Sequence, residues 1–122
     1  MEKVTGIGGV FFRARNPAAL SRWYAEHLGV TETPADAGAQ PWMQSAGPTV
    51  WGTFPEDTDY FRRPEKTWMI NFRVRDLAAM VAQLRAASIE VEDPVDYPPI
   101  GRFTRLSDPE DNQIELWEPK DP

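Results

Sequence analysis

Apolar and polar positions fall into two rhythms along this chain, and their order predicts the elements. Residues 7–14 read as a strand, and Asn16-Pro17 opens a helix with asparagine as N-cap and proline at the first helical position. The apolar residues Leu20, Trp23, Tyr24 and Leu28 repeat on one face of a 3.6-residue period, and Gly29 stops the helix. From 31 to 54 proline and glycine break the pattern into short pieces, with 49–54 the best strand. Residues 55–66 are polar, charged and rich in turn formers. A second strand follows at 68–74, then N-cap Asp76 and a helix over 77–87 with Leu77, Met80, Val81 and Leu84 on one face. Strands are expected near 90–95, 102–107 and 113–118, the last two joined by the tight turn Asp108-Pro109-Glu110-Asp111-Asn112.

The second half is a rough copy of the first. Phe12-Arg13-Ala14-Arg15-Asn16-Pro17-Ala18-Ala19 lies over Phe72-Arg73-Val74-Arg75-Asp76-Leu77-Ala78-Ala79 at an offset of 60, with five of eight positions identical. Each copy closes alike, Val50-Trp51-Gly52-Thr53-Phe54-Pro55 over Ile114-Glu115-Leu116-Trp117-Glu118-Pro119. Repeats of this kind mark a duplicated supersecondary unit. The reading is one α+β domain over 1–122, made of two βαβββ modules at about 5–55 and 67–119. Residues 56–66 connect them and can fold over a site.

Size and charge narrow the functions. A chain of 122 residues buries roughly two-thirds of its unfolded surface, enough for a core. No apolar run reaches the ~20 residues of a membrane span, and no secretory signal opens the chain, so a cytoplasmic location is expected. A net charge of −6 opposes nucleic acid and anionic membrane surfaces as partners. The absence of cysteine removes disulfides, thiolate metal sites and thiol nucleophiles. Five tryptophans offer large amphipathic surfaces for a flat apolar ligand.

Strand alternation sorts the faces. Val10, Phe12 and Ala14, with Ile70, Phe72 and Val74, are expected under the helices. The other face carries Gly9, Phe11, Arg13 and Arg15, matched by Met69, Asn71, Arg73 and Arg75, with Thr49, Trp51, Thr53 and Gln113, Glu115, Trp117 on the closing strands. The sum is a polar concave surface with aromatic walls. Arg13 and Arg73 stand at equivalent positions and present planar forks suited to a carboxylate or phosphate, or to pairing with Glu115. Glu115 is a salt-bridge partner, a metal ligand or a general base. The lone His27 reads as packing or surface. Gly6-Ile7-Gly8-Gly9 precedes a strand and is no phosphate cradle, and Glu56, Asp57 and Asp59 read as solvated.

The run Gly8-Gly9-Val10-Phe11-Phe12-Arg13-Ala14-Arg15-Asn16-Pro17, with Trp23-Tyr24 and Leu28-Gly29, resembles the vicinal oxygen chelate superfamily, which contains glyoxalase I, bleomycin-resistance proteins, extradiol dioxygenases and fosfomycin-resistance enzymes. Met69-Ile70-Asn71-Phe72-Arg73-Val74 and the ending Asp108 to Trp117 extend the similarity to nearly the whole chain. The resemblance implies paired βαβββ modules that form a curved mixed sheet around a concave cleft. It also implies a divalent metal held from the first and last strand of each module, positions that map here to Gly9, approximately Trp51, Met69 and Glu115. Only Glu115 suits such an ion, since methionine is a soft, weak ligand and glycine has no side chain. Relatives place an arginine against the substrate carboxylate where Arg13 stands. Many have glycine where Asp111 stands, and aspartate tolerates the left-handed conformation such a turn needs.

The expectation is therefore a metal-free member without cofactor, a homodimer that binds a small, partly apolar and anionic molecule. Arg13 and Arg73 would anchor charge, Phe11, Trp51 and Trp117 would stack, and Asn71, Gln113 and Glu115 would hydrogen-bond. The alternative is a lyase, isomerase or dioxygenase with an atypical site, for which Glu115 is the best catalytic candidate.

Overall fold

The computed structural model describes residues 1–32 and 38–120. Helix α1 runs over Pro17–Leu28, strand β1 over Ile70–Arg73 and helix α2 over Leu77–Ala86, followed by β2 (Val95–Tyr97), β3 (Gly101–Ser107) and β4 (Gln113–Pro119). The strands form one open mixed sheet in the order β1-β4-β3-β2. β1 pairs parallel with β4, placing Ile70 beside Ile114 and Asn71 beside Glu115. β3 runs antiparallel to β4 and to β2. α2 supplies the crossover that a parallel pair requires.

Both helices start as their caps dictate. Asn16 Oδ1 accepts from the Ala19 N–H at 3.1 Å, and Asp76 Oδ1 from the Ala79 N–H at 3.0 Å, each satisfying a first-turn donor. Gly29 ends α1 in the left-handed region at φ 73°, where a Cβ is costly. Leu20 and Tyr24 of α1 meet Leu77, Val81 and Leu84 of α2, Leu106 of β3, and Ile114 and Leu116 of β4 in one buried cluster. Each such leucine or isoleucine removed from water contributes about 2 kcal/mol.

The helix of the first copy is thus fastened to the sheet of the second. The Tyr24 hydroxyl donates to Asp108 Oδ2 at 2.6 Å, and the N–H groups of Arg15 and Asn16 donate to the Glu110 carboxylate at 2.6 and 3.0 Å.

The first copy's own strands are the point of difference. Among the described residues no strand precedes Ile70, and the segments expected as strands at 7–14 and 49–54 have no ladder. Pro41 and Pro48 have no N–H to give, and Gly47 and Gly52 weaken extended pairing, so the region that should supply β1-like partners cannot present an unbroken edge. Ala14 packs against the core as expected, whereas Val10 is half exposed and Phe12 meets the core only at its edge, through Tyr24 and Trp68. In the second copy the expectation holds: Ile70, Phe72 and Val74 pack on the cluster. The strand expected near 90–95 forms at its end, because Pro94 cannot donate; before it, Glu92 follows β3, its N–H donating to the Arg105 carbonyl at 3.1 Å and its carbonyl accepting from Thr104 Oγ1 at 2.5 Å.

Candidate functional site

The face of the sheet opposite Ile114 and Leu116 carries the chemistry. With side chains alternating along each strand, β4 presents Gln113, Glu115 and Trp117, β1 presents Asn71 and Arg73, and β3 presents Phe103, Arg105 and Ser107. Asn71 Nδ2 donates to Glu115 Oε1 at 2.7 Å. The other carboxylate oxygen, Oε2, accepts from the Tyr60 hydroxyl. Trp117 lies parallel to Phe103, 3° between planes and 6.0 Å between centroids, and its Nε1–H donates to the Ile100 carbonyl at 3.1 Å. Arg73 Nη2 donates to the Ser45 carbonyl at 2.9 Å, and its guanidinium fills the space where a side chain on Gly47 would stand. Among the described residues Arg73 has no carboxylate partner.

Gln113 is buried, and its Nε2 donates to the Tyr60 carbonyl and to Met69 Sδ. Its Oε1 is the buried side-chain atom left without a partner among the described residues. An acceptor in that state costs free energy until a donor reaches it.

Tyr60 comes from the connection between the copies, which is clasped onto the β3–β4 turn. Arg62 donates to Ser107 Oγ, Arg63 pairs with Asp111 Oδ2, and Lys66 Nζ donates to Asn112 Oδ1 at 3.0 Å. Asp111 itself sits at φ 65°, the left-handed geometry expected of it. Burial, then the hydrogen bond to Glu115, pushes the Tyr60 phenol up to about 12. Its hydroxyl is therefore a donor at neutral pH.

The structure brings together Asn71, Arg73, Gln113, Glu115 and Trp117. It does not bring Phe11, Arg13 or Trp51 to them. Phe11 and Trp51 are 95% and 84% exposed, and Arg13 lies with Lys66 and Glu110 at a shallow surface groove. Alternation assigned those three on the premise of a ladder that the described residues lack. Conversely, Phe103 and Arg105 could have been read from the alternation of the strand expected at 102–107. Tyr60 could not, since a connection has no period.

A glyoxalase-like domain model matches residues 9–117. The chain belongs to that family. Solved structures of similar fold align along its length. An antibiotic-binding protein from Streptomyces is 20% identical with a TM-score of 0.64, covering 98% of this chain and 100% of the other. A glyoxylase/bleomycin resistance protein/dioxygenase domain from Frankia is 16% identical with a TM-score of 0.62, covering 97% and 100%. Lactoylglutathione lyase from Agrobacterium tumefaciens is 16% identical with a TM-score of 0.57, covering 95% of each chain. No curated protein sequence matches.

The residues present do not fit the divalent metal that this glyoxalase-like fold implies. Among the described residues no three histidine, aspartate or glutamate side chains converge. At the mapped positions Met69 Sδ accepts from Gln113, Trp51 points no ligand atom beyond an indole N–H, and both oxygens of Glu115 already accept hydrogen bonds.

Proposed function

We propose that this glyoxalase-like chain is a binding protein for a small, partly apolar, anionic molecule, and that it acts without a metal. The observation that carries the reading is the composition of one sheet face: a polar row of Arg73, Asn71, Glu115 and Gln113 beside the stacked Trp117 and Phe103. A cation without a carboxylate partner, an orphaned buried acceptor and an aromatic wall are what a polar-edged apolar ligand needs. The similarity to an antibiotic-binding protein supports binding as the role. Phe11, Arg13 and Trp51 would join this face across a homodimer, in which a second copy covers the exposed segments of the first unit. Their high exposure supports that arrangement.

The enzyme reading would make Glu115 a general base, and the hydrogen bond it accepts from the Tyr60 hydroxyl would keep a proton donor beside it. One experiment tests the metal-free binding reading. Isothermal titration with 1-naphthoate, before and after chelation, is expected to show saturable binding that chelator leaves unchanged and that Arg73→Ala weakens about tenfold. A stoichiometric metal in natively purified protein, with binding lost on its removal, would overturn the metal-free reading.

A further inference from the structure

Tyr60 occupies a slot built from four directions. Its ring lies nearly parallel to Phe54, 22° between planes and 5.7 Å between centroids. The Arg105 guanidinium stands over the ring at 5.0 Å from its centre. The hydroxyl donates to Glu115, and the backbone carbonyl accepts from Gln113. These are the elements of a phenol receptor: an apolar ring to stack on, a cation over the π face, and a carboxylate to take the hydroxyl proton in a charge-assisted bond. The phenol that fills it belongs to the chain itself and comes from a connection outside any helix or strand.

Two of the slot's residues also line a neighbouring groove. Arg105 and Gln113 line a groove of about 1180 Å³, bounded further by Trp23, Arg62 and Ser107. A ligand that extends from the slot past Gln113 would bring a donor to its unpartnered Oε1.

We propose that the ligand is a hydroxylated aromatic whose phenol takes the place of the Tyr60 side chain on Glu115, between Phe54 and Arg105. The proposal rests on the reading of this face as a ligand site and names the ligand class. Tyr60 is then a specificity residue: it holds the slot closed against rings that lack a hydroxyl, because only a phenol replaces the hydrogen bond its departure breaks. A methyl ether of the same ring leaves Glu115 short of a donor.

The test uses 2-naphthol and its methyl ether, 2-methoxynaphthalene, followed by quenching of tryptophan fluorescence. Wild-type protein should bind the naphthol more tightly. Tyr60→Phe keeps the ring and the fold but gives up the hydroxyl that either probe must displace, so both affinities should rise about tenfold while the preference for naphthol over ether is kept. Glu115→Gln should shrink the preference for naphthol over ether. The proposal is overturned if Tyr60→Phe weakens naphthol binding or leaves it unchanged, or if wild-type protein binds the ether as tightly as the naphthol. Loss of 1-naphthoate binding in wild-type protein would instead sink the binding reading; Arg73-dependent naphthoate binding with indifferent naphthol and ether would sink this inference alone.

Discussion

Asp108 holds two parts of the molecule with two oxygens. Oδ1 accepts from the N–H groups of Glu110 and Asn112 at 2.8 and 3.0 Å, and Oδ2 from the Tyr24 hydroxyl and Asn112 Nδ2 at 2.6 and 2.9 Å. Burial, then the bond to Asp108, drives the Tyr24 phenol upward, so it stays a donor throughout the ordinary pH range. Asp108→Ala strands that hydroxyl in the core and frees the turn, and should cost about 3 kcal/mol in urea unfolding. Asp108→Asn keeps an acceptor and should cost clearly less. Individual residues were legible in the sequence where a local rule governs them. Asn16 and Asp76 cap, Gly29 stops and Asp111 turns left-handed as their types require. Tyr60 and Arg62 were not, since what fixes them is contact with Glu115 and Ser107, residues 55 and 45 positions away.

At the scale of elements, alternation separated Ile70, Phe72, Ile114 and Leu116, which pack on the core, from Asn71, Arg73, Gln113 and Glu115, because β1 and β4 pair with each other in parallel. The same rule has no hold on Phe11, Arg13 and Trp51 within one chain, because period two decides a face only when a ladder exists to flatten the strand. The joint between elements that sequence could not foresee is Glu110, which takes the N–H groups of Arg15 and Asn16 just ahead of α1. Those two backbone bonds, the one from Asn16 the stronger influence, hold its carboxyl below the ordinary 4.5. A carboxylate depressed in the folded state stabilises above its unfolded value, and that contribution fades as pH falls through the lower folded value. Thermal melts should therefore show wild-type stability declining below about pH 4.5 more steeply than that of Glu110→Gln, which carries no titrating group there. Equal slopes would show that the clasp on α1 does not depend on charge.

Over the whole molecule the two copies have separate fates. The second buries Leu77, Leu84, Ile114 and Leu116 completely, while the first leaves Val4, Phe11, Met43, Val50 and Trp51 mostly in solvent. Exposed apolar area of that extent marks an interaction surface, and the proposed homodimer covers it. Analytical ultracentrifugation should find a dimer at micromolar concentration, converted to monomer by the double change Phe11→Asp and Trp51→Asp with the melting of the second unit's core little altered. A monomeric wild type would remove the second copy as the cover. The repeat also sets what the covered strands would look like: its two offsets, applied to the pairing of Ile70 with Ile114 and of Asn71 with Glu115, place Val10 beside Val50 and Phe11 beside Trp51.

Because Leu20 and Tyr24 seal the same core as Ile114 and Leu116, the duplicated halves are no longer interchangeable cassettes. Excising the first would not leave a smaller working protein; it would bare the underside of the second sheet and its buried Asp108. With one core closed from both sides, this chain has no seam along which it could be halved.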